Sequence, residues 1–359
     1  MQCKKLISFF GLLSIVGYSF GQPAIITGSI TDSKTNEPLP LATVFINNTT
    51  ISTASQENGR YTLKNIPTGP VEVVVSYVGY EPSRTTITVH DADELLLNFR
   101  LIPSTVELPN VQVTGERDKE WEKQYKKFEK VFLGENSTGA KIMNPGIIDF
   151  KELDKGSALL ASASEAIEIE NPGLGYHISY YLLTFQSSKE TYIIVGDMRF
   201  EQMNATDEKK ITRWAENRKD IYSGSLRHLI VSLINGRASE EGFQFYVDLP
   251  GFNASERAAN FTMNKGVVPF STNSIVFPGK KEGEFKIQFT ERLEVHYVNK
   301  IAKIKTYKDI ACPVGWIEPT HGFVEVNAQG TVMNRANFVT SGYFSDARVA
   351  SLLPNDYKP

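Results

Sequence analysis

The stretch NGRYTLKNIPTGPVEVVVSYVGY, at positions 58–80, constrains the fold more than any other part of the chain. Asn58-Gly59 is a strong hairpin signal, because both central residues of a type I′ turn adopt a positive φ. Pro67-Thr68-Gly69 predicts a second turn, since proline presets φ and glycine accepts a positive value. Apolar residues alternate between and after these turns. The stretch therefore predicts short strands, each with one better buried face, joined by tight turns.

The flanking sequence continues this pattern. Apolar and β-branched runs at 25–32, 42–46, 85–89 and 95–101 predict further short strands, and turn-forming residues separate them. Several short strands punctuated by turns favour an antiparallel β-sandwich. We therefore predict an N-terminal sandwich domain at residues 22–102.

Four segments of this region, GSITD, EPLPLATVFI, ENGRYTLKNIPTG and SYVGY, resemble the carboxypeptidase regulatory-like domain in order and spacing. The resemblance implies a transthyretin-like or immunoglobulin-like sandwich without catalytic residues of its own. Because such modules occur in exported proteins of bacteria with an outer membrane, it also implies that compartment. Gln56-Glu57 departs from the Thr-Asp of many members, which changes a surface carboxylate near the turn and not the fold.

The first residues, 1–21, have the pattern of a secretory signal. Lys4 and Lys5 precede an apolar run at 6–16 that is too short to span a bilayer, and small residues precede a cleavage point after Gly21. No later stretch has the uninterrupted apolar length of a membrane helix. We expect an exported protein, periplasmic or associated with the outer membrane, without a transmembrane segment after signal cleavage.

The charge limits the classes of partner that the chain can bind, and the cysteine content limits its disulfides. The formal net charge is −3, and cleavage of the signal would remove two lysines and make it more negative. A mildly acidic chain is a poor partner for nucleic acid or an anionic membrane surface. Cleavage would also leave Cys312 as the only cysteine, so no internal disulfide is expected.

A linker is predicted at residues 103–117, where prolines interrupt regular structure, and a larger α+β domain at 118–359. Aromatic residues spaced three and four apart predict a helix over 118–133. A second helical region is predicted over 207–236, with Ile211 on its buried face and with a kink or a division at Gly224. The rest is mainly strand. The fold class is therefore mainly β or α+β, with two helical regions. Patches of this domain resemble the C-terminal portion of exported proteins carrying the regulatory-like domain, which implies no assigned chemistry.

Motifs for catalysis, cofactors and metals are missing from the sequence. A zinc peptidase would need a His-x-x-Glu pair and a distant histidine, but the five histidines follow no such spacing: His90, His177, His228, His296 and His321. There is no Gly-x-Ser-x-Gly elbow and no phosphate loop. Ser225 near His228 is a weak candidate for a nucleophile pair, since a catalytic triad requires a geometry that sequence spacing does not define. We predict no catalytic, cofactor or metal residue.

A binding role is the remaining interpretation. Tyrosines of the predicted strand around 176–181 can stack on a sugar ring, although burial in the core is the favoured interpretation. The candidate binding residues are Tyr176, Tyr180, Trp214, Tyr222, Arg227 and His228. We predict a non-catalytic binding or scaffolding protein with an envelope protein or a glycan as partner, contacted by strand addition at the sandwich edges. The alternative is a peptidase-type hydrolase with a site assembled by the C-terminal domain.

Overall fold

The computed structural model describes residues 24–104, 119–134, 138–153, 156–189, 191–247, 268–302, 310–334 and 337–359. The predicted signal at 1–21 and nearly all of the predicted linker lie outside these ranges. The strands, in chain order, are β1 (Ala24–Asp32), β2 (Thr43–Ile46), β3 (Ser52–Ala54), β4 (Arg60–Ile66), β5 (Gly69–Ser76), β6 (Ser83–Val89), β7 (Glu94–Leu96), β8 (Phe99–Leu101), β9 (Lys141–Ile142), β10 (Ile148–Leu153), β11 (Ala158–Ala163), β12 (Ile167–Asn171), β13 (Tyr176–Ser188), β14 (Tyr192–Gln202), β15 (Phe243–Val247), β16 (Val268–Pro269), β17 (Val276–Pro278), β18 (Glu284–Gln288), β19 (Leu293–Tyr297), β20 (Val314–Pro319), β21 (Phe323–Asn327) and β22 (Phe338–Gly342). The helices are α1 (Lys119–Leu133), α2 (Glu208–Tyr222), α3 (Leu226–Ile234) and α4 (Tyr343–Asp346).

The first eight strands form a two-sheet sandwich, as predicted. One sheet has the order β4-β1-β7 with β8 also pairing β1, and the other has the order β3-β2-β5-β6. Ile26, Val44 and Val73 are fully buried between the sheets. The sandwich is not wholly antiparallel, because β7 and β8 run parallel to β1. The chain leaves β6 in one sheet and enters β7 in the other, so it crosses the sandwich instead of reversing beside β1.

The predicted type I′ hairpin at Asn58-Gly59 is wrong. The strands on either side, β3 and β4, belong to different sheets, and of the two residues only Gly59 has a positive φ, at 73°. The Gly59 N–H donates to the Gln56 carbonyl at 2.8 Å, which closes a turn that carries the chain from one sheet to the other. A side chain at Gly59 would also meet the Ile30 carbonyl, so glycine is required for close approach as well as for φ.

The expected one-sided burial of β5 is also incomplete. Val74 is as fully buried as Val73 and Val75, although it lies on the opposite face. Its cross-strand partner Phe45 stacks on Tyr181 of β13 with ring centroids 5.5 Å apart. The outer face of this sheet is therefore covered by the rest of the protein, which local alternation cannot reveal.

Beside the sandwich lies a six-stranded sheet of order β10-β11-β13-β12-β9, with β14 pairing β13. The long β13 changes register against β14 between Leu182 and Thr184. Helix α1, predicted from its aromatic spacing, packs on this sheet, where Phe128 lies 4.7 Å from Phe185 and Phe132 lies 5.0 Å from Tyr180 between ring centroids. The helix prediction is confirmed.

The remaining strands form a sheet of order β16-β15-β19-β20-β22 and a small sheet of order β17-β18-β21. Helix α3 packs its buried leucines and isoleucine against them. The predicted division near Gly224 is confirmed, since that residue separates α2 from α3 with φ at 80°. The prediction that Ile211 belongs to the buried face is wrong, because its side chain is 47% exposed. Helix α2 instead contacts the six-stranded sheet through Trp214 and Arg218, whose side chains donate to main-chain carbonyls of the turn after β12.

Within the described residues, no helix has both the length and the apolar character needed to cross a bilayer.

Candidate functional site

The sandwich is attached to the six-stranded sheet through the turn at residues 47–50, which we call the docking turn. The Asn48 N–H donates to the Met198 carbonyl at 2.8 Å, and the Phe200 N–H donates to the Thr49 carbonyl at 3.0 Å. Thr49 and Arg199 form a parallel bridge. The docking turn therefore behaves like an added strand on the outer edge of β14.

The side chain of Asn47 uses both amide hydrogens and its carbonyl oxygen in hydrogen bonds at this junction. Its amide donates to Glu72 at 2.6 Å and to Asp197 at 2.8 Å, and its carbonyl oxygen accepts the Met198 N–H at 2.8 Å. Arg84 of β6 completes the junction with an ion pair to Asp197 at 2.8 Å. Burial raises the pKa of Asp197, while Arg84 and Asn47 oppose that shift and Glu72 reinforces it.

Two cavities, each of about 350 Å³, flank the outer edge of β14. The apolar cavity lies on the side of β14 that faces α2, α3 and the C-terminal segment, and its walls include Ile194, Met198, Phe338, Phe344 and Leu352. The polar cavity lies on the opposite side, between β14 and the sandwich, and its walls include Glu72, Arg84, Asp197, Asn327 and Gln329. Four residues line both cavities: Asn48, Thr331, Val332 and Asn355. The hydroxyl oxygen of Thr331 is buried and has no hydrogen-bond partner within the described residues.

The C-terminal segment, residues 347–359, closes one end of the apolar cavity. The Arg227 guanidinium donates to the carbonyls of Gln329, Pro354, Asn355 and Tyr357, the first at 2.9 Å. Asp356 accepts hydrogen bonds from the backbone and hydroxyl of Thr50. The final residues form no helix or strand, yet they tie α3 to the docking turn.

Three of the six candidate binding residues line the apolar cavity: Tyr180, Tyr222 and Arg227. Arg227 is committed to backbone carbonyls, and burial lowers its pKa. Tyr176 and Trp214 lie at another place, where Arg218 stacks on the Tyr176 ring at 4.1 Å. The candidate tyrosines Tyr176, Tyr180 and Tyr222 are therefore buried in the protein.

His228 lies beneath the cavity with both ring nitrogens occupied. Its Nδ1 accepts the Gly224 N–H at 3.0 Å, so Nε2 carries the proton and donates to Glu241 at 3.0 Å. The Ser225 hydroxyl accepts the backbone N–H of His228 at 3.1 Å, as the N-cap of α3. Burial lowers the pKa of His228. The imidazole and the Ser225 hydroxyl are thus not arranged as base and nucleophile.

Sequence reasoning missed one buried pair of ionisable side chains. Glu294 and His296 are 5% and 3% exposed on the face of β19 that points away from the apolar core, and they are 2.8 Å apart. The Trp316 indole N–H donates to Glu294 at 3.2 Å. The signal was the Glu-x-His spacing within a strand, which places both side chains on one face. In the part of the chain that the structure describes, no three acidic, histidine or cysteine side chains are grouped as metal ligands.

Comparison with known proteins identifies the first module. Residues 26–113 match the family described as CarboxypepD_reg-like domain, so the chain carries a carboxypeptidase regulatory-like domain. A comparison with curated proteins gave no match.

Solved structures give only partial likenesses. A cohesin–X-dockerin complex from Acetivibrio cellulolyticus has 22% identity and a TM-score of 0.19, over 22% of this chain and 56% of the other. The 3-chlorocatechol 1,2-dioxygenase of Rhodococcus opacus has 14% identity and a TM-score of 0.20, over 23% and 61%. The catechol 1,2-dioxygenase of an Acinetobacter species has 16% identity and a TM-score of 0.22, over 29% and 59%. The chain thus spans about three fifths of each of these proteins, and likenesses this weak carry no functional argument.

Proposed function

We propose that this protein is an exported, non-catalytic binding protein of the cell envelope, which holds a protein partner in a cleft along the outer edge of β14, with the regulatory-like sandwich as one of its walls. The cleft is the space occupied by the apolar and polar cavities. Residues 1–21, with the pattern of a secretory signal, support the compartment.

The observation that carries the proposal is the fixed position of the sandwich. Asn47, Arg84 and Asp197 join it to the larger body through charged and amide hydrogen bonds, and its strands form one wall of the polar cavity. A module that served only as a spacer would not need such a junction. A wall held in place, by contrast, preorganises a binding cleft and lowers the entropy lost on binding.

The surroundings of the cleft favour binding over catalysis. Arg227, the basic side chain at the apolar cavity that sequence analysis singled out, is bound to main-chain carbonyls. His228 is held between Gly224 and Glu241. A general base must reach the proton that it abstracts, and neither nitrogen of His228 is free to do so.

Site-specific photo-crosslinking in living cells tests this function. A photoreactive amino acid replaces Thr86, which is exposed on β6 and lines the polar cavity. The matched control replaces Thr62, which is exposed on β4 in the other sheet of the sandwich. Protease treatment of each product establishes whether the captured molecule is a protein.

The proposal expects one abundant protein adduct from position 86 and none from position 62. Adducts of equal yield from both positions, or a glycan adduct at position 86, would contradict it. Fractionation of the same cells checks the compartment, where recovery in the cytoplasmic fraction would overturn the envelope assignment.

A further inference from the structure

We infer that residues 192–196 of β14 bind an extended peptide segment of the partner by strand addition, with an apolar side chain in the apolar cavity and a neighbouring basic side chain in the polar cavity. This inference rests on the proposed function and specifies the partner segment that the cleft accepts.

The backbone of β14 offers the required hydrogen-bonding groups. Met198 and Phe200 present backbone groups away from β13, since they bond to Asn48 and Thr49 of the docking turn. Backbone orientation repeats every second residue along a strand, so Gly196 and Ile194 face the same way. Within the described residues, nothing outside β13 bonds to the backbone of these two positions. The edge used by the docking turn therefore continues between the two cavities, where half-buried Ile194 lines the apolar cavity and buried Gly196 lines the polar one.

Side-chain alternation assigns one cavity to each face of an added strand. Tyr192, Ile194 and Met198 line the apolar cavity, whereas Val195 and Asp197 line the polar one. A peptide that extends the sheet presents successive side chains to the same two faces. One residue would enter the apolar cavity, and its immediate neighbours would enter the polar cavity.

The charges of the polar cavity select the neighbouring residue. Its ionisable walls are Glu72, Arg84 and Asp197, of which Arg84 and Asp197 neutralise each other as an ion pair. Glu72 accepts the Asn47 amide at 2.6 Å and forms no ion pair within the described residues. A lysine or arginine beside the apolar residue complements this carboxylate.

This location differs from the strand addition expected at the edges of the sandwich. The outer sandwich strands β4 and β6 pair on one side only, as β14 does, but the two cavities adjoin β14. The protein already uses this edge for strand addition with its own docking turn. Continuity with that interface favours β14 as the binding edge.

The first test is selection from a random eight-residue phage-display library against the purified protein. The expected consensus is a large apolar residue next to lysine or arginine. Hydrogen–deuterium exchange with the selected peptide should show new protection at the amides of Ile194 and Gly196. Protection confined to β4 or β6 would overturn the inference, and so would a selection that yields no binding peptide.

Matched variants test the side-chain assignment by fluorescence anisotropy. Ile194→Lys places a charge in the apolar cavity and should weaken binding at least about tenfold. Ile193→Lys changes the adjacent isoleucine, which is 52% exposed on the other face, and should leave the affinity within about twofold. Glu72→Gln should weaken binding, whereas Glu94→Gln, at an exposed position of β7 away from the cleft, should not. Equal effects within either pair would contradict the assignment.

A backbone change in the peptide removes any dependence on how the variants fold. N-methylation at alternate residues deletes the N–H donors and leaves every side chain in place. Strand addition predicts loss of binding for one methylation phase and little change for the other, because only alternate residues face the edge. Equal affinities in both phases would overturn strand addition. The photo-crosslink from Thr86 does not depend on the peptide, so a partner captured there without peptide binding would refute this inference alone.

Discussion

Replacement of Asn47 by alanine should release the sandwich from β14. The substitution removes two hydrogen bonds to carboxylates, each contributing about 1.5 kcal/mol or more, and one to the Met198 N–H, contributing about 1 kcal/mol. Because Glu72 is only partly buried, solvent reduces the total to about 3 kcal/mol. A change of this size speeds local opening by roughly a hundredfold.

The assay is hydrogen exchange at the amides of Met198 and Phe200, which bond to Asn47 and Thr49. Asn98→Ala is the matched control, because Asn98 accepts the Ser29 N–H at 2.9 Å inside the sandwich and lies away from the junction. The control should leave both amides unchanged. Unaltered exchange at Met198 and Phe200 in Asn47→Ala, or equal acceleration in the control, would refute this account of the junction.

Three further predictions concern the helices beside the cleft. Arg227→Lys cannot bind four carbonyls at once, so hydrogen exchange at the amides of Asn355 and Tyr357 should be faster than in the parent protein. The exposed control Arg213→Lys should leave these amides unchanged, and equal exchange in all three proteins would contradict this role. Gly224→Ala imposes a φ near 80° on alanine and directs its Cβ into the Tyr297 ring. The free energy of unfolding, measured by thermal denaturation, should therefore fall by about 1–3 kcal/mol. An unchanged melting temperature would refute this prediction. Burial lowers the pKa of His228 in the folded protein. Below a pH of about 6.5 the unfolded chain therefore binds more protons than the folded one, and the free energy of unfolding decreases as the pH falls from there to the lower folded pKa. His228→Gln should therefore reduce the difference between urea midpoints at pH 7.5 and pH 5.5, and an identical difference in both proteins would contradict it.

Local sequence patterns predicted helices and strands well where each buries a single face in a single hydrophobic core. Helix α1 follows from its aromatic spacing, and the separation of α2 from α3 follows from Gly224. The sandwich follows from strands and turns of ordinary composition. In each case the residues that determine the element lie close together in sequence.

The junction and the cleft could not be derived in this way. Asn47 lies in an unremarkable turn, and its partner Asp197 is 150 residues away. Val74 reads as an outward residue, because nothing near it indicates that Tyr181 and its strand will cover that face. Contacts between distant segments depend on the relative placement of whole sheets, which hydrophobic periodicity does not encode.

The candidate tyrosines show that a correct guess at cavity residues does not define the cavity. Tyr180 and Tyr222 do border the apolar cavity, but so do many residues from five separate parts of the chain that carry no motif. The pair of Glu294 and His296 was hidden for a simpler reason. Each residue is ordinary alone, and only their shared strand face and burial make them notable.

The most direct test of the central claim compares photo-crosslinking from Thr86 in the parent protein and in Asn47→Ala, with protein levels matched. If the docked sandwich forms a wall of the binding cleft, release of the junction should remove most of the adduct while leaving the sandwich folded. Equal adduct yields from the two proteins would show that the partner binds the sandwich alone and would contradict the cleft as the binding site.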